Sequence, residues 1–244
     1  MIWTPRVPRS ELRYEPYLGN VWRLIEGQYR PATRKITDSV AEQSRLETLL
    51  DATKPTIPEE CAHLDYQFST PFRYGCYPRD SRFRRAGPTP GVYYAAEDPL
   101  TAAIESAWGS VAFFRASPAT PLPTIPRACS AILAEIRAPV ALDLTAPDNA
   151  ALGRWTDPVD YGDCLDLADQ ARARGGEAIR YTSVRDPLAR ANVAVLTCAA
   201  FARPEPLTSQ TWHLHLTGDR VVLTNESLRQ TQEYRVGAQA LEPA

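Results

Sequence analysis

Gly91-Val92-Tyr93-Tyr94-Ala95-Ala96 runs directly into Glu97-Asp98-Pro99-Leu100-Thr101-Ala102-Ala103-Ile104-Glu105. The first six residues are aromatic, β-branched or small, which suits a short strand. Asp98 is an N-cap acceptor and Pro99 suits the first helical position, so the spacing predicts a helix over 99–108. Alternation along the strand puts Val92 and Tyr94 on one face and Tyr93 on the other. Glu105 then lies about two turns into the helix, with Thr101, Ala102 and Trp108 as its helical neighbours. A strand feeding a capped helix, among further strands and helices in no regular alternation, predicts an α+β fold rather than a doubly wound sheet.

Upstream, residues 71–91 hold Pro71, Pro78, Pro88 and Pro90 with Gly75, Gly87 and Gly91, a composition that disfavours long regular elements. The same loop carries Arg73, Arg79, Arg82, Arg84 and Arg85. Further upstream, 38–53 reads as a helix with Val40, Leu46, Leu49 and Leu50 on one face, ended by Pro55 and Pro58. Residues 21–25 read as a strand with Arg23 as its one charged member, and 1–20 as an arm. Downstream, 128–136 and 139–144 read as two strands and 161–174 as a helix stopped by Gly175-Gly176. A strand over 177–182 leads to Ser183, and 192–199 reads as an apolar strand. Residues 213–236 read as a hairpin around Thr217-Gly218-Asp219.

With 44% hydrophobic and 23% charged residues the chain can bury a sizeable core, which excludes wholesale disorder. A net charge of −2 gives no general attraction to nucleic acid or membrane surfaces. Lys35 and Lys54 are the only lysines among 27 basic residues, so the cationic chemistry is almost all guanidinium, suited to planar oxyanions. A G+C-rich coding bias accounts for that composition equally well. Five scattered cysteines without a C-x-x-C pair argue against a disulfide framework and a zinc ribbon. The N-terminus lacks a secretory apolar region, and no apolar run approaches a membrane span. The expectation is a cytoplasmic protein with reduced thiols and no membrane contact.

Taken singly, the chemical candidates have ordinary explanations. Tyr94 reads as a core aromatic, Glu105 as a solvated helix residue and Ser183 as a turn residue. The arginine loop reads as a solvated basic segment, as a contact to nucleic acid or an acidic partner, or as fixed donors for a pyrophosphate. Ser183 lacks the G-x-S-x-G of a hydrolase elbow. His213 and His215 share a strand face, but no third metal ligand is near in sequence.

In order, Thr70-Pro71-Phe72-Arg73-Tyr74, Ser81-Arg82-Phe83-Arg84, Gly91-Val92-Tyr93-Tyr94, Thr101-Ala102-Ala103-Ile104-Glu105, Tyr181-Thr182-Ser183 and Asn192 form a set that resembles the RES-domain toxin family. The resemblance covers residues 21–200, leaving 1–20 as the arm and 201–244 as a hairpin extension. It implies a mixed sheet, split as in ADP-ribosyltransferase toxins and flanked by helices. It also implies NAD as substrate, cleaved at the nicotinamide–ribose bond, with ADP-ribose passing to a protein, phosphate or water. An Xre-type antitoxin is the implied partner, and direct nucleic-acid contact is not expected. By resemblance the catalytic residues are Arg82, Tyr94, Glu105 and Ser183, and the NAD-binding residues Arg23, Arg73, Arg84 and Asn192, with no metal. The family's commoner Arg-Trp-Asn is Arg82-Phe83-Arg84 here. The principal arginine therefore stays open among Arg73, Arg82 and Arg84, and Tyr93 stands beside Tyr94. The competing reading is a non-enzymatic module that binds nucleic acid or an acidic partner through loop 71–91.

Overall fold

A computed structural model describes residues 12–27 and 36–244. The expected arm over 1–20 falls largely outside those residues, but its end is strand: β1 spans Tyr14–Glu26. Helix α1 (Val40–Thr53) is capped by Ser39, whose side chain accepts from the Glu42 N–H. Its apolar residues do not face a core, since Val40 is 82% and Leu49 58% exposed. A short helix, α2 (Tyr66–Arg73), follows, and its last three residues fall in the stretch 71–91 expected to be loop. Asp65 caps it, and Pro71 sits in its last turn. The loop then holds a two-stranded ladder, β2 (Cys76–Tyr77) with β3 (Gly87–Pro88).

Strand β4 (Tyr93–Ala96) and helix α3 (Pro99–Ala116) match the local reading, and the helix runs two turns beyond the expected end. Asp98 accepts from the N–H groups of Leu100 and Thr101 at 2.8 and 3.3 Å, as an N-cap should. Gly91 is obligatory in front of β4, because a Cβ there would collide with the main chain of Pro71 and Phe72. The two strands expected over 128–144 are one, β5 (Arg127–Asp143). Pro139 interrupts nothing because the β1–β5 register shifts between Glu15 and Tyr17, opposite this proline, and the ladder there needs no N–H. Then come α4 (Pro147–Ala150), α5 (Gly162–Ala173), β6 (Ala178–Thr182) and β7 (Ala191–Val195). Gly175, at φ 73°, takes the left-handed conformation that ends α5. Strands β8 (Thr208–Thr217), β9 (Arg220–Asn225), β10 (Gln230–Val236) and β11 (Leu241–Pro243) form an antiparallel meander, with Gly218 in the β8–β9 turn at φ 60°.

The sheet order is β1-β4-β7-β6-β5-β8-β9-β10-β11, and β1 pairs with β5 as well as β4. One edge of β5 is therefore shared: residues 127–133 pair with β8, and 141–143 pair in parallel with β6. The sheet splits along β5, and strands β1, β4, β7, β6 and β5 curl into a closed ring. The fold is α+β, as expected from the sequence. Phe68, Phe72, Tyr93 and Phe201 pack one core against the ring. α5 covers β6 and β7 through Leu167, Ala171, Ile179 and Ala194. α3 covers the meander through Ile104, Val111, Trp212 and Leu223.

One expectation about the thiols is corrected. Cys61 and Cys198 form a disulfide, with Cα atoms 5.3 Å apart, joining the turn before α2 to the segment after β7. Their 137-residue separation has no spacing signature. Cys76, Cys129 and Cys164 are free. Among the described residues no helix is long and apolar enough to cross a membrane.

Candidate functional site

The split opens a cleft of about 480 Å³ bordered by β1, β4, α3, β6, β7 and the 80–82 turn. Glu105 enters it from α3. Its Oε1 accepts from Ser183 Oγ at 2.6 Å and from Asn192 Nδ2 at 2.7 Å. Ser183 directly follows β6 and Asn192 belongs to β7, so three segments remote in sequence meet at one carboxylate oxygen. Ser183 is buried behind Glu105, whereas Glu105 and Asn192 line the cleft. Tyr181, also lining it, is buried and its phenol is pushed well above its ordinary pKa by burial, then by the charge of Glu105.

Tyr94 and Tyr93 point to opposite sides of β4. Tyr93 is in the core, edge-on to Phe68 and Phe201 at 5.9 and 5.1 Å. Tyr94 lines the cleft. Burial raises its pKa, so the phenol stays protonated. Its oxygen accepts from the Phe83 N–H at 2.9 Å and shares a hydrogen bond with Ser81 Oγ, also at 2.9 Å, in which either hydroxyl can donate. The tyrosine thus anchors the arginine turn to the sheet.

The arginines divide into two groups. Arg23, Arg82 and Arg185 line the cleft. Arg82 is fixed by main-chain carbonyls: Nη1 donates to Trp155 O at 2.7 Å and Nη2 to Asp157 O at 3.0 Å, with the guanidinium 4.7 Å over the Tyr161 ring. Arg185 donates to the carbonyls of Gln239 and Pro158 and lies 4.8 Å over Trp108. Arg23 is different. Its Nη1 donates to Tyr94 O at 3.1 Å, and among the described residues it makes no ion pair. Burial lowers its pKa, and only tyrosines oppose that effect. The guanidinium is part-buried and lies 4.9 Å over the Tyr93 ring, and a cation with no acidic partner among the described residues suits an anionic ligand.

Arg73 and Arg84 are not brought to the cleft. Arg73 Nε donates to Pro55 O. Arg84 donates to the carbonyls of Tyr74 and Thr89 and lies 4.4 Å over Tyr77. Arg84 ties the loop to itself, and Arg73 ties the end of α2 to the segment after α1. Arg185, Tyr161 and Tyr181 belong to the cleft and were missed in the sequence. Arg185 stands two residues after Ser183, and that neighbourhood was the available signal.

A larger cavity, about 810 Å³ and mostly apolar, lies further along α3 beside Phe113, Ile125 and Leu214 and touches the cleft at Ser106. It holds none of the residues grouped around Glu105. His213 pairs with Glu226 at 2.9 Å on the meander, and among the described residues no three His, Cys, Asp or Glu side chains gather as a metal site.

Fold and cleft together define an α+β protein with one hydroxyl- and amide-clamped glutamate in an arginine-walled pocket. The RES domain family model matches residues 57–217, and the chain belongs to that family. No curated protein matches. Among solved structures the chain is similar to one from the M. tuberculosis MbcT–MbcA toxin–antitoxin complex. Identity is 14% and the TM-score 0.44, over 86% of this chain and 92% of that one.

Proposed function

We propose that the chain is the toxin of a toxin–antitoxin pair and cleaves the nicotinamide–ribose bond of NAD. The observation that carries this reading is Glu105, clamped by Ser183 and Asn192 in a cleft lined by Arg23, Arg82 and Arg185. In this reaction the C1′–N bond breaks and nicotinamide leaves with the electron pair as a neutral molecule. The leaving group needs no proton, so the site needs no second carboxylate as general acid, unlike an ordinary glycosidase. Positive charge grows on the ribose, and the Glu105 carboxylate is fixed in advance to face it. Arg23 takes a phosphate oxygen, and Arg82 and Arg185 hold the cleft walls in a positive field. Tyr94 offers its ring to the nicotinamide or ribose. Arg73 and Arg84 have no part in this reading.

The nucleophile that attacks C1′ loses its proton and takes the ADP-ribosyl group. Incubating the purified chain with NAD, with and without phosphate and a cell lysate, identifies it by mass spectrometry. Free ADP-ribose means water, a phosphorylated ADP-ribose means phosphate, and a protein gaining the ADP-ribosyl mass means a side chain. The expected inhibitory partner is an Xre-type antitoxin. Co-expression should restore growth that the chain alone arrests.

The alternative, a binding module using loop 71–91, is opposed by where its arginines point. Arg82 and Arg84 are turned onto backbone carbonyls, and Arg85 onto Asp166 and Asp169 at 2.5 and 2.6 Å. Among the described residues the loop presents no broad basic face.

A further inference from the structure

We infer that Asp186 and Thr101, neither of them lining the cleft, form a positioning clamp that aims the Ser183 hydroxyl at Glu105. The inference rests on the reading of Glu105 as the reacting carboxylate. Helix α3 places Asp98, Thr101 and Glu105 at spacings of three and four residues, along one side of the helix. The segment from the end of β6 to β7 places Ser183, Asp186 and Arg190 opposite them. Three ties result: Ser183 Oγ to Glu105 Oε1 at 2.6 Å, Thr101 Oγ1 to Asp186 Oδ2 at 2.6 Å, and Arg190 Nη1 to Asp98 Oδ1 at 3.0 Å.

Asp186 is the hub. Its side chain is fully buried. Oδ2 also accepts from Arg190 Nε at 2.7 Å, and Oδ1 from the Leu188 N–H at 2.9 Å. Its own N–H donates to Ser183 Oγ at 3.1 Å, beside that of Arg185 at 3.3 Å. Two N–H donors occupy the acceptor side of the Ser183 oxygen, so its single proton is left to point at Glu105. The clamp therefore sets both the position and the direction of that hydroxyl. A merely structural tie would stabilise the loop without governing the reaction.

Thr101→Val removes one donor while keeping shape, Asp186→Asn weakens the hub, and Thr101→Ser restores the hydroxyl. If the clamp positions Ser183, Thr101→Val and Asp186→Asn lower kcat for NAD loss by roughly ten- to a hundredfold. KM stays near the wild-type value, and Thr101→Ser recovers most of kcat. Wild-type kcat in a Thr101→Val protein whose melting temperature has fallen would overturn the inference. Crystal structures of the same variants read the geometry without any activity. The clamp requires the Ser183–Glu105 separation to open beyond about 3.5 Å, and an unchanged contact contradicts it. If the wild-type protein consumes no NAD, the functional reading fails while this separation still decides the clamp.

Discussion

Glu105 and its two donors state the chemistry most compactly. Glu105→Gln keeps the shape and removes the charge. The expected loss is on the order of 3 kcal/mol of transition-state stabilisation, more than a hundredfold in kcat, read from nicotinamide release. Tyr94→Phe deprives the buried Phe83 N–H of its acceptor, and the expected destabilisation is about 1–3 kcal/mol, checked by denaturant unfolding. At Asp186, burial pushes the carboxyl up. Hydrogen bonds from Arg190, Thr101 and the Leu188 N–H outweigh it and hold the pKa below the ordinary value. That stabilisation is complete above the unfolded carboxylate pKa of about 3.9 and is lost as pH falls through the lower folded value. The stability gap between wild type and Asp186→Asn should therefore close on acidification below about pH 4, measured by urea midpoints across pH. Residue roles were the least legible in the sequence. Whether a guanidinium faces the cleft or a carbonyl is settled by partners far along the chain. Arg82 finds its acceptors at Trp155 and Asp157, and local reading of Ser81-Arg82-Phe83-Arg84 has no access to them.

Elements were read best where their causes are local. The Asp98 cap and Pro99 fix the start of α3 by contacts within three residues, and the alternation of Tyr93 and Tyr94 needs only the pleat. Errors arose where tertiary pairing overrides a local breaker. Pro71 sits inside α2, and Pro139 within β5 at a shift in register. For α1 the error was opposite: the apolar spacing is helical, yet the face stays exposed among the described residues. The site itself is a junction of elements, with Ser183 separated from Glu105 by 78 residues and Asn192 by 87. No periodicity links such positions. Their grouping was legible only through resemblance to the RES-domain family.

For the whole molecule, the shared edge of β5 is the feature from which the cleft follows. The ring and the meander diverge there, and α3 spans the gap with Glu105 on its cleft side. The Cys61–Cys198 disulfide closes a loop of 137 residues across the same ring. By chain entropy alone it contributes up to about 5 kcal/mol, so Cys61→Ser should lower the thermal midpoint under non-reducing conditions and change little under reduction. The central claim is that this cleft breaks the nicotinamide–ribose bond. Its most direct test is nicotinamide release from NAD by the purified wild-type chain, alongside Glu105→Gln, with phosphate and a protein lysate supplied. Release by the wild type and its loss in a folded Glu105→Gln protein is the expected result. No release under any of these conditions, or equal release by both proteins, would contradict the claim.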